Sequence, residues 1–144
     1  MTTIAESAQV CGNELIHELM ELQLDPDQFV IFGSAPLLAH GLRTIVHDLD
    51  IVARGDAMDF ARKNGTLRVG RYSGDPVWHL NNGRLQFSAG WITNSWDANQ
   101  LIDNAEIIQG LRFACLSDVL RYKQELLRKK DLADIARIQS YLCQ

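Results

Sequence analysis

Residues 29–52 read FVIFGSAPLLAHGLRTIVHDLDIV, and this segment decides the fold. Its first four residues, 29–32, are all apolar, which predicts a short central strand buried on both faces. Residues 48–52 predict a second strand. Between the two strands we expect a short helix that begins near Pro36 and ends at Gly41, because proline suits a first helical turn and glycine suits the residue after a last one.

The rest of the chain extends the same alternation of helices and strands. Asn81-Asn82-Gly83 stands between the predicted strands 77–80 and 84–88 and is typical of a hairpin. The predicted elements outside residues 29–52 are a helix over 4–22, a helix over 57–63 capped by Asp56, hairpin strands over 77–80 and 84–88, short strands over 107–108 and 111–114, a helix over 117–127 capped by Ser117, and a last helix with Leu132, Ile135, Ile138 and Leu142 on one face.

The length and composition are those of one domain. The chain has 144 residues, of which 47% are hydrophobic, enough for a substantial core. We therefore predict a single domain over residues 1–144. Its class is α/β (α+β), with a small mixed sheet flanked by helices and a helical pair over about 117–142. The apolar runs are too short for a membrane span and no signal peptide is visible, so a cytoplasmic location is expected and no membrane partner.

Charge and cysteine content argue against three further classes of protein. The net charge is −4, which does not suit a general nucleic-acid coat. Basic residues nevertheless cluster over 121–130, which is consistent either with a local anion site or with a solvated helix face. The three cysteines lie far apart and include no Cys-x-x-Cys, so neither a disulfide framework nor a structural zinc site is expected.

Gly33-Ser34 follows the first strand directly. Glycine lets a backbone approach a ligand closely, and helix N-terminal amides together with a serine hydroxyl can hold phosphate oxygens. The same dipeptide is also common in ordinary turns. Taken alone, it favours a turn over a binding site.

Asp48-x-Asp50 places two carboxylates in the second apolar strand. Residues two apart on a strand point to one face, so the two side chains lie together. They are costly to bury without a counter-charge, and a divalent cation such as Mg²⁺ would supply it. An exposed edge strand is the alternative, but the apolar Leu49, Ile51 and Val52 favour a strand in the core with its carboxylates in a cleft.

Together these motifs resemble the minimal nucleotidyltransferase superfamily, which includes antibiotic nucleotidyltransferases and the toxin components of abortive-infection systems. The resemblance lies in Phe32-Gly33-Ser34, in Gly41-Leu42-Arg43 and in the Asp48-x-Asp50 strand. The stretch from Lys129 to Ile135 adds a Lys-Asp-x-x-Asp pattern seen in many small members. The resemblance spans roughly residues 29–142.

The resemblance implies a role for each matching residue. Gly33 and Ser34 would bind the β- and γ-phosphates of a nucleoside triphosphate. Asp48 and Asp50 would bind Mg²⁺, two ions in an active enzyme, and are the implied catalytic residues. Arg43 and Lys130 would neutralise phosphate charge. An acceptor hydroxyl would attack the α-phosphate, and pyrophosphate would leave.

One position departs from the family pattern. Catalytic members have a third carboxylate on a later strand, and the strand over 84–88 carries Gln86 there. Glutamine cannot take a proton, and losing a general base typically costs about 10²–10⁴-fold in rate. Asp75, Asp97 and Glu106 are the acids that the fold would have to bring near to replace it.

Three functions therefore stay open. The first is a Mg²⁺-dependent nucleotidyltransferase that acts on an unidentified small-molecule or macromolecular acceptor. The second is a binding module for nucleotide or protein that keeps the fold but has lost turnover, which Gln86 favours. The third is an unrelated α/β domain. The short helical pair leaves little surface for an acceptor, so a homodimer in which a second subunit completes the cleft is a further expectation.

Overall fold

The computed structural model describes residues 12–70, 74–91 and 96–143. The helices of these residues are α1 (Glu14–Glu21), α2 (Ala35–Ala39), α3 (Gly55–Asn64), α4 (Ala98–Asp103), α5 (Leu116–Leu126) and α6 (Leu132–Leu142). The strands are β1 (Phe29–Phe32), β2 (Leu49–Ala53), β3 (Thr66–Val69), β4 (Pro76–Leu80), β5 (Leu85–Ser88), β6 (Gly90–Trp91), β7 (Trp96–Asp97), β8 (Glu106–Ile108) and β9 (Leu111–Phe113). Single 3₁₀ turns cover Pro26–Gln28, Asn81–Gly83 and Lys129–Asp131.

Seven of the described strands form one mixed sheet in the order β3-β4-β5-β2-β1-β9-β8. The pairs β2–β5 and β1–β9 are parallel, and the other four pairs of this sheet are antiparallel. Strands β6 and β7 form a separate antiparallel ladder. The predicted α/β class with a small mixed sheet flanked by helices is confirmed, as is the hairpin formed by β4 and β5.

The central strand β1 is buried on both faces, as its apolar run predicts. Phe29 and Ile31 join one hydrophobic cluster, which includes residues of α1 and α3. Val30 and Phe32 join a second cluster, which includes residues of α4, α5 and α6. Each such side chain contributes on the order of 1.5–3 kcal/mol when it is fully buried. Two cores therefore fix the sheet between two helical layers.

The predicted C-terminal helical pair is confirmed. Val119 on α5 and Ile138 on α6 are fully buried in one cluster. The predicted apolar face of α6 is only half correct, because Ile135 and Ile138 are buried whereas Leu132 and Leu142 are exposed. Leu127 adopts a left-handed conformation (φ 44°) and ends α5, so the chain turns back into α6.

Two predicted helix caps are wrong. Helix α3 begins at Gly55 with Arg54 as its N-cap residue, so Asp56 lies in the first turn. Helix α5 begins at Leu116 with Cys115 as its N-cap residue, so Ser117 is already helical. An acidic side chain in the first turn still stabilises a helix through its dipole, which is why Asp56 gave a misleading signal.

The N-terminal helix is confirmed over Glu14–Glu21, and the predicted residues 4–11 lie outside the described part of the chain. Strand β3 was not predicted, because its four side chains are all exposed. Cys115 and Cys143 are free thiols. In the described ranges, no helix combines the length and the hydropathy that crossing a bilayer requires.

Candidate functional site

A cleft of about 490 Å³ opens between the sheet and the α5–α6 pair. The turn after β1 and the strands β2 and β5 line one side of it, and α5 together with the 3₁₀ turn before α6 lines the other. Its walls include all six residues that the sequence predicts for the site: Gly33, Ser34, Arg43, Asp48, Asp50 and Lys130.

The two aspartates lie on the sheet side of the cleft. Asp50 is within β2, where it pairs with Phe32 of β1 and with Gln86 of β5. Asp48 lies immediately before β2 rather than inside it, and it is exposed. Burial, followed by the nearby charge of Asp48, raises the pKa of Asp50 to about 6. The charges of Lys123, Arg128 and Lys130 act in the opposite direction.

Gly33 meets Asp50 where the chain leaves β1. Its φ of 69° lies in the left-handed region that favours glycine. A Cβ atom at this position would collide with Oδ2 of Asp50 and would lie 3.2 Å from its Cγ. Glycine is therefore required by the backbone conformation and also by the space that the carboxylate occupies.

Gln86 lies beside Asp50, where the sequence places it. The parallel register aligns the two residues on one face of the sheet, and Gln86 lines the cleft. Its Nε2 donates a hydrogen bond to the carbonyl oxygen of Gly83 at 3.0 Å. The side-chain amide is thus held by its own hairpin.

The acids that would have to replace a carboxylate at Gln86 lie outside the cleft walls. Asp97 caps α4 by accepting a hydrogen bond from the amide of Gln100. Glu106 accepts from Nε2 of His40 at 2.7 Å. Asp75 is not among the lining residues either, so the position next to Asp50 keeps its neutral amide.

A buried lysine holds the opposite wall. Lys123 on α5 is only 3% exposed, and its Nζ donates to Oγ of Ser34 at 3.1 Å. The same Nζ lies 3.4 Å from Oδ1 of Asp131 and 3.3 Å from Oδ2 of Asp134. The Ser34 hydroxyl also donates to Asp134, at 3.4 Å. Lys123 therefore ties the turn after β1 to both acids of the helical pair.

Arginines neutralise the two buried acids. Arg128 donates two side-chain hydrogen bonds to Asp131, at 2.7 and 3.0 Å. Although burial opposes it, the hydrogen bond from Arg128 and the charge of Lys123 hold the pKa of Asp131 below its ordinary value. Asp134 accepts hydrogen bonds from Nη1 of Arg43 at 3.3 Å and from Nη1 of Arg137 at 2.9 Å.

Lys123 and Arg128 belong to the basic cluster over 121–130, for which the sequence leaves an anion site open, whereas the sequence gives no individual role to Asp131 and Asp134. The last two lie in the Lys-Asp-x-x-Asp stretch, which was recognised only as a pattern. Lys123 carried a readable signal, since it continues the apolar stripe of Val119, Tyr122 and Leu126 on α5. A lysine on the buried face of an amphipathic helix needs a partner.

The donor set fits a divalent cation at one position. Asp48 and Asp50 offer carboxylate oxygens, the ligands that Mg²⁺ favours, on one wall of a cleft that also holds cations for phosphate oxygens. Within the described ranges, no group of three or more His, Cys, Asp or Glu side chains is placed to hold a metal ion. Two carboxylates are too few to hold the ion alone. The residues therefore fit a cation that is coordinated jointly by the protein and by a bound phosphate.

Comparisons with models of protein families, with curated proteins and with solved structures give no match to this chain. The resemblance to nucleotidyltransferases therefore depends on the motifs of the sequence itself.

Proposed function

We propose that this chain binds a nucleoside triphosphate together with Mg²⁺ and transfers its nucleoside monophosphate to an acceptor hydroxyl. The observation that carries the proposal is the pairing of two walls of opposite charge across one cleft. Asp48 and Asp50 line the cleft from the sheet, while Lys123, Arg128 and Lys130 line the opposite side. A triphosphate with its cation would satisfy both walls at once.

The cationic wall of the cleft carries more positive than negative side chains. Among the described residues that line the cleft, Lys123, Arg128 and Arg43 contact the two carboxylates of Asp131 and Asp134. The exposed Lys130 adds a further positive charge at the cleft. This excess of positive charge attracts an anionic ligand.

Each wall would orient part of the reaction. The amides of the turn at Gly33, together with Lys123, Arg128 and Lys130, would hold the β- and γ-phosphates. Bound Mg²⁺ would neutralise phosphate charge and stabilise the departing pyrophosphate. The acceptor oxygen forms a bond to the α-phosphorus, the bond from that phosphorus to the pyrophosphate oxygen breaks, and the hydroxyl proton passes to solvent because Gln86 cannot take it.

Isothermal titration with ATP, CTP, GTP and UTP, each with and without Mg²⁺, tests the proposal. We expect Mg²⁺-dependent binding to the native chain and at least about tenfold weaker binding to Asp50→Asn, because one charged ligand is lost. Asp56→Asn, which changes an exposed aspartate on α3, serves as the matched control. If none of the four nucleotides binds, the transferase proposal is wrong.

Gln86 favours a second function, a module that binds nucleotide without turning it over. Gln86→Glu restores a carboxylate beside Asp50 with nearly the same shape. For a module that lost turnover here, we expect tighter Mg²⁺ binding and the appearance of slow pyrophosphate release. A native chain that already releases pyrophosphate with an acceptor, at a rate that Gln86→Glu does not raise, would contradict this second function.

A further inference from the structure

A second pocket adjoins the cleft on the far side of Arg43. It has a volume of about 300 Å³ and is lined by Arg137 and by residues 41–45, which follow α2. Arg43 lines both this pocket and the main cleft. A molecule in the second pocket would therefore lie next to whatever occupies the first.

The two arginines of this pocket share one buried acid. Oδ2 of Asp134 accepts a hydrogen bond from Nη1 of Arg43, and Oδ1 accepts one from Nη1 of Arg137. Asp134 also contacts Lys123. The Asp134 carboxylate therefore contacts three cationic groups, of which Lys123 is shared with Asp131. Among the described residues, each guanidinium gives a single terminal nitrogen to Asp134, so further N–H groups of the planar forks stay available.

The remaining walls suit a small molecule. The side chain of Arg137 is 50% exposed, so its free donors reach solvent at the pocket. Ile45 is 61% exposed and offers an apolar surface beside them. Thr44 is also exposed and adds a hydroxyl. The pocket combines a forked cationic site with an apolar wall, which is the chemistry that recognises an anionic group on a carbon skeleton.

We infer that this pocket, here called the Arg43–Arg137 pocket, binds the acceptor through a compact anionic oxygen group, a phosphate or a carboxylate. The acceptor role rests on the proposed function, since the shared Arg43 places this molecule beside the nucleotide. Arg137 is then a residue that determines acceptor specificity. It contacts the anionic group and takes no part in the transfer step.

NMR titration of the native chain with inorganic phosphate, and separately with acetate, tests the inference without nucleotide or Mg²⁺. We expect shifts at the amides of Thr44 and Ile45 and at the Nε–H of Arg137. Arg137→Met should weaken this binding about ten- to hundredfold, the loss of one charge-assisted hydrogen bond. Arg137→Lys should recover part of it, because the charge returns without the fork.

Arg62→Met is the matched control, because Arg62 is 48% exposed and also bridges an aspartate three residues before it. It should bind phosphate as the native chain does. Shifts confined to Gly33, Ser34 and Lys130, or no shifts at all, would overturn the inference. A stronger response to phosphate than to acetate, or the reverse, identifies the anionic group. If phosphate binds here while the nucleotide titration fails, the site stands and only the acceptor role is lost.

Discussion

Gly33 shows how one residue couples backbone conformation to the site. Gly33→Ala adds a Cβ at a φ of 69° and against the Asp50 carboxylate. We expect a loss of about 1–2 kcal/mol in the free energy of unfolding from the backbone alone, and a displaced Asp50 in addition. Urea denaturation measures the first effect, and Mg²⁺-dependent nucleotide binding measures the second.

Gly110→Ala is the matched control for this change. Gly110 has a φ of 79°, and an added Cβ would meet nothing within 4 Å. It should lose similar stability while keeping nucleotide binding. Equal binding by both variants would mean that the contact between Gly33 and Asp50 has no functional weight.

The charged Asp50 carboxylate is predicted to lower the free energy of unfolding while it serves as a ligand for Mg²⁺. Its pKa is raised from 3.8 to about 6, so the folded state holds the proton more tightly than the unfolded chain does. The stability that this group contributes is full below pH 3.8 and is lost as the pH rises to about 6. Without divalent cations, Asp50→Asn should therefore be more stable than the native chain, by on the order of 3 kcal/mol at pH 7.

Urea denaturation in EDTA at several pH values checks this prediction. The advantage of Asp50→Asn should shrink between pH 7 and pH 4. Asp48→Asn should gain less, since it removes only the second cause of the shift. An Asp50→Asn chain no more stable than the native one at pH 7 would show that the carboxylate is not strained there.

At the scale of elements, Lys123 joins α5 to α6 and to the turn after β1. Lys123→Met leaves Asp131 with Arg128, and Asp134 with Arg43 and Arg137, so neither acid becomes wholly uncompensated. We therefore expect a loss of about 2–3 kcal/mol, below the 3–5 kcal/mol typical of breaking a buried ion pair. Urea denaturation measures this loss.

Lys129→Met tests whether the loss of stability in Lys123→Met comes from the burial of Lys123. Lys129 is exposed on the turn before α6, and its removal should change stability by no more than about 0.5 kcal/mol. A double-mutant cycle with Asp131→Asn should give a coupling of at least about 0.5 kcal/mol between Lys123 and Asp131. Strict additivity would contradict the ion pair.

The sequence predicts well the elements that show a local pattern of apolar or turn-forming residues. The all-apolar β1 and the Asn81-Asn82-Gly83 hairpin were both found. Strand β3 was missed because an exposed edge strand such as Thr66–Val69 shows no buried face. The starts of α3 and α5 were misplaced because Asp56 and Ser117 suit the first turn about as well as the cap.

For the whole molecule, the sequence predicts one half of the cleft better than the other. Gly33, Asp48 and Asp50 lie within 18 residues of one another, so a local motif brings them together. The contact between Ser34 and Asp134 spans 100 residues, and no local pattern encodes it. Lys123 and the acids that it binds follow from the packing of α5 and α6 against the sheet, which only the complete fold determines.

This long span makes the cleft a property of the folded chain alone. A ligand that needs Ser34 and the α5–α6 pair together cannot bind the unfolded chain, so its binding must stabilise the fold. At a nucleotide concentration a hundredfold above its Kd, with Mg²⁺, we expect about 2.7 kcal/mol of added stability and a Tm higher by roughly 10 °C. Thermal denaturation monitored by circular dichroism measures the change, with Mg²⁺ alone and nucleotide in EDTA as controls.

Two variants test whether this rise in Tm comes from the cleft. Arg62→Met should show the native shift in Tm and Asp50→Asn only a small part of it. An equal rise in Tm for native and Asp50→Asn chains would place the nucleotide outside this cleft.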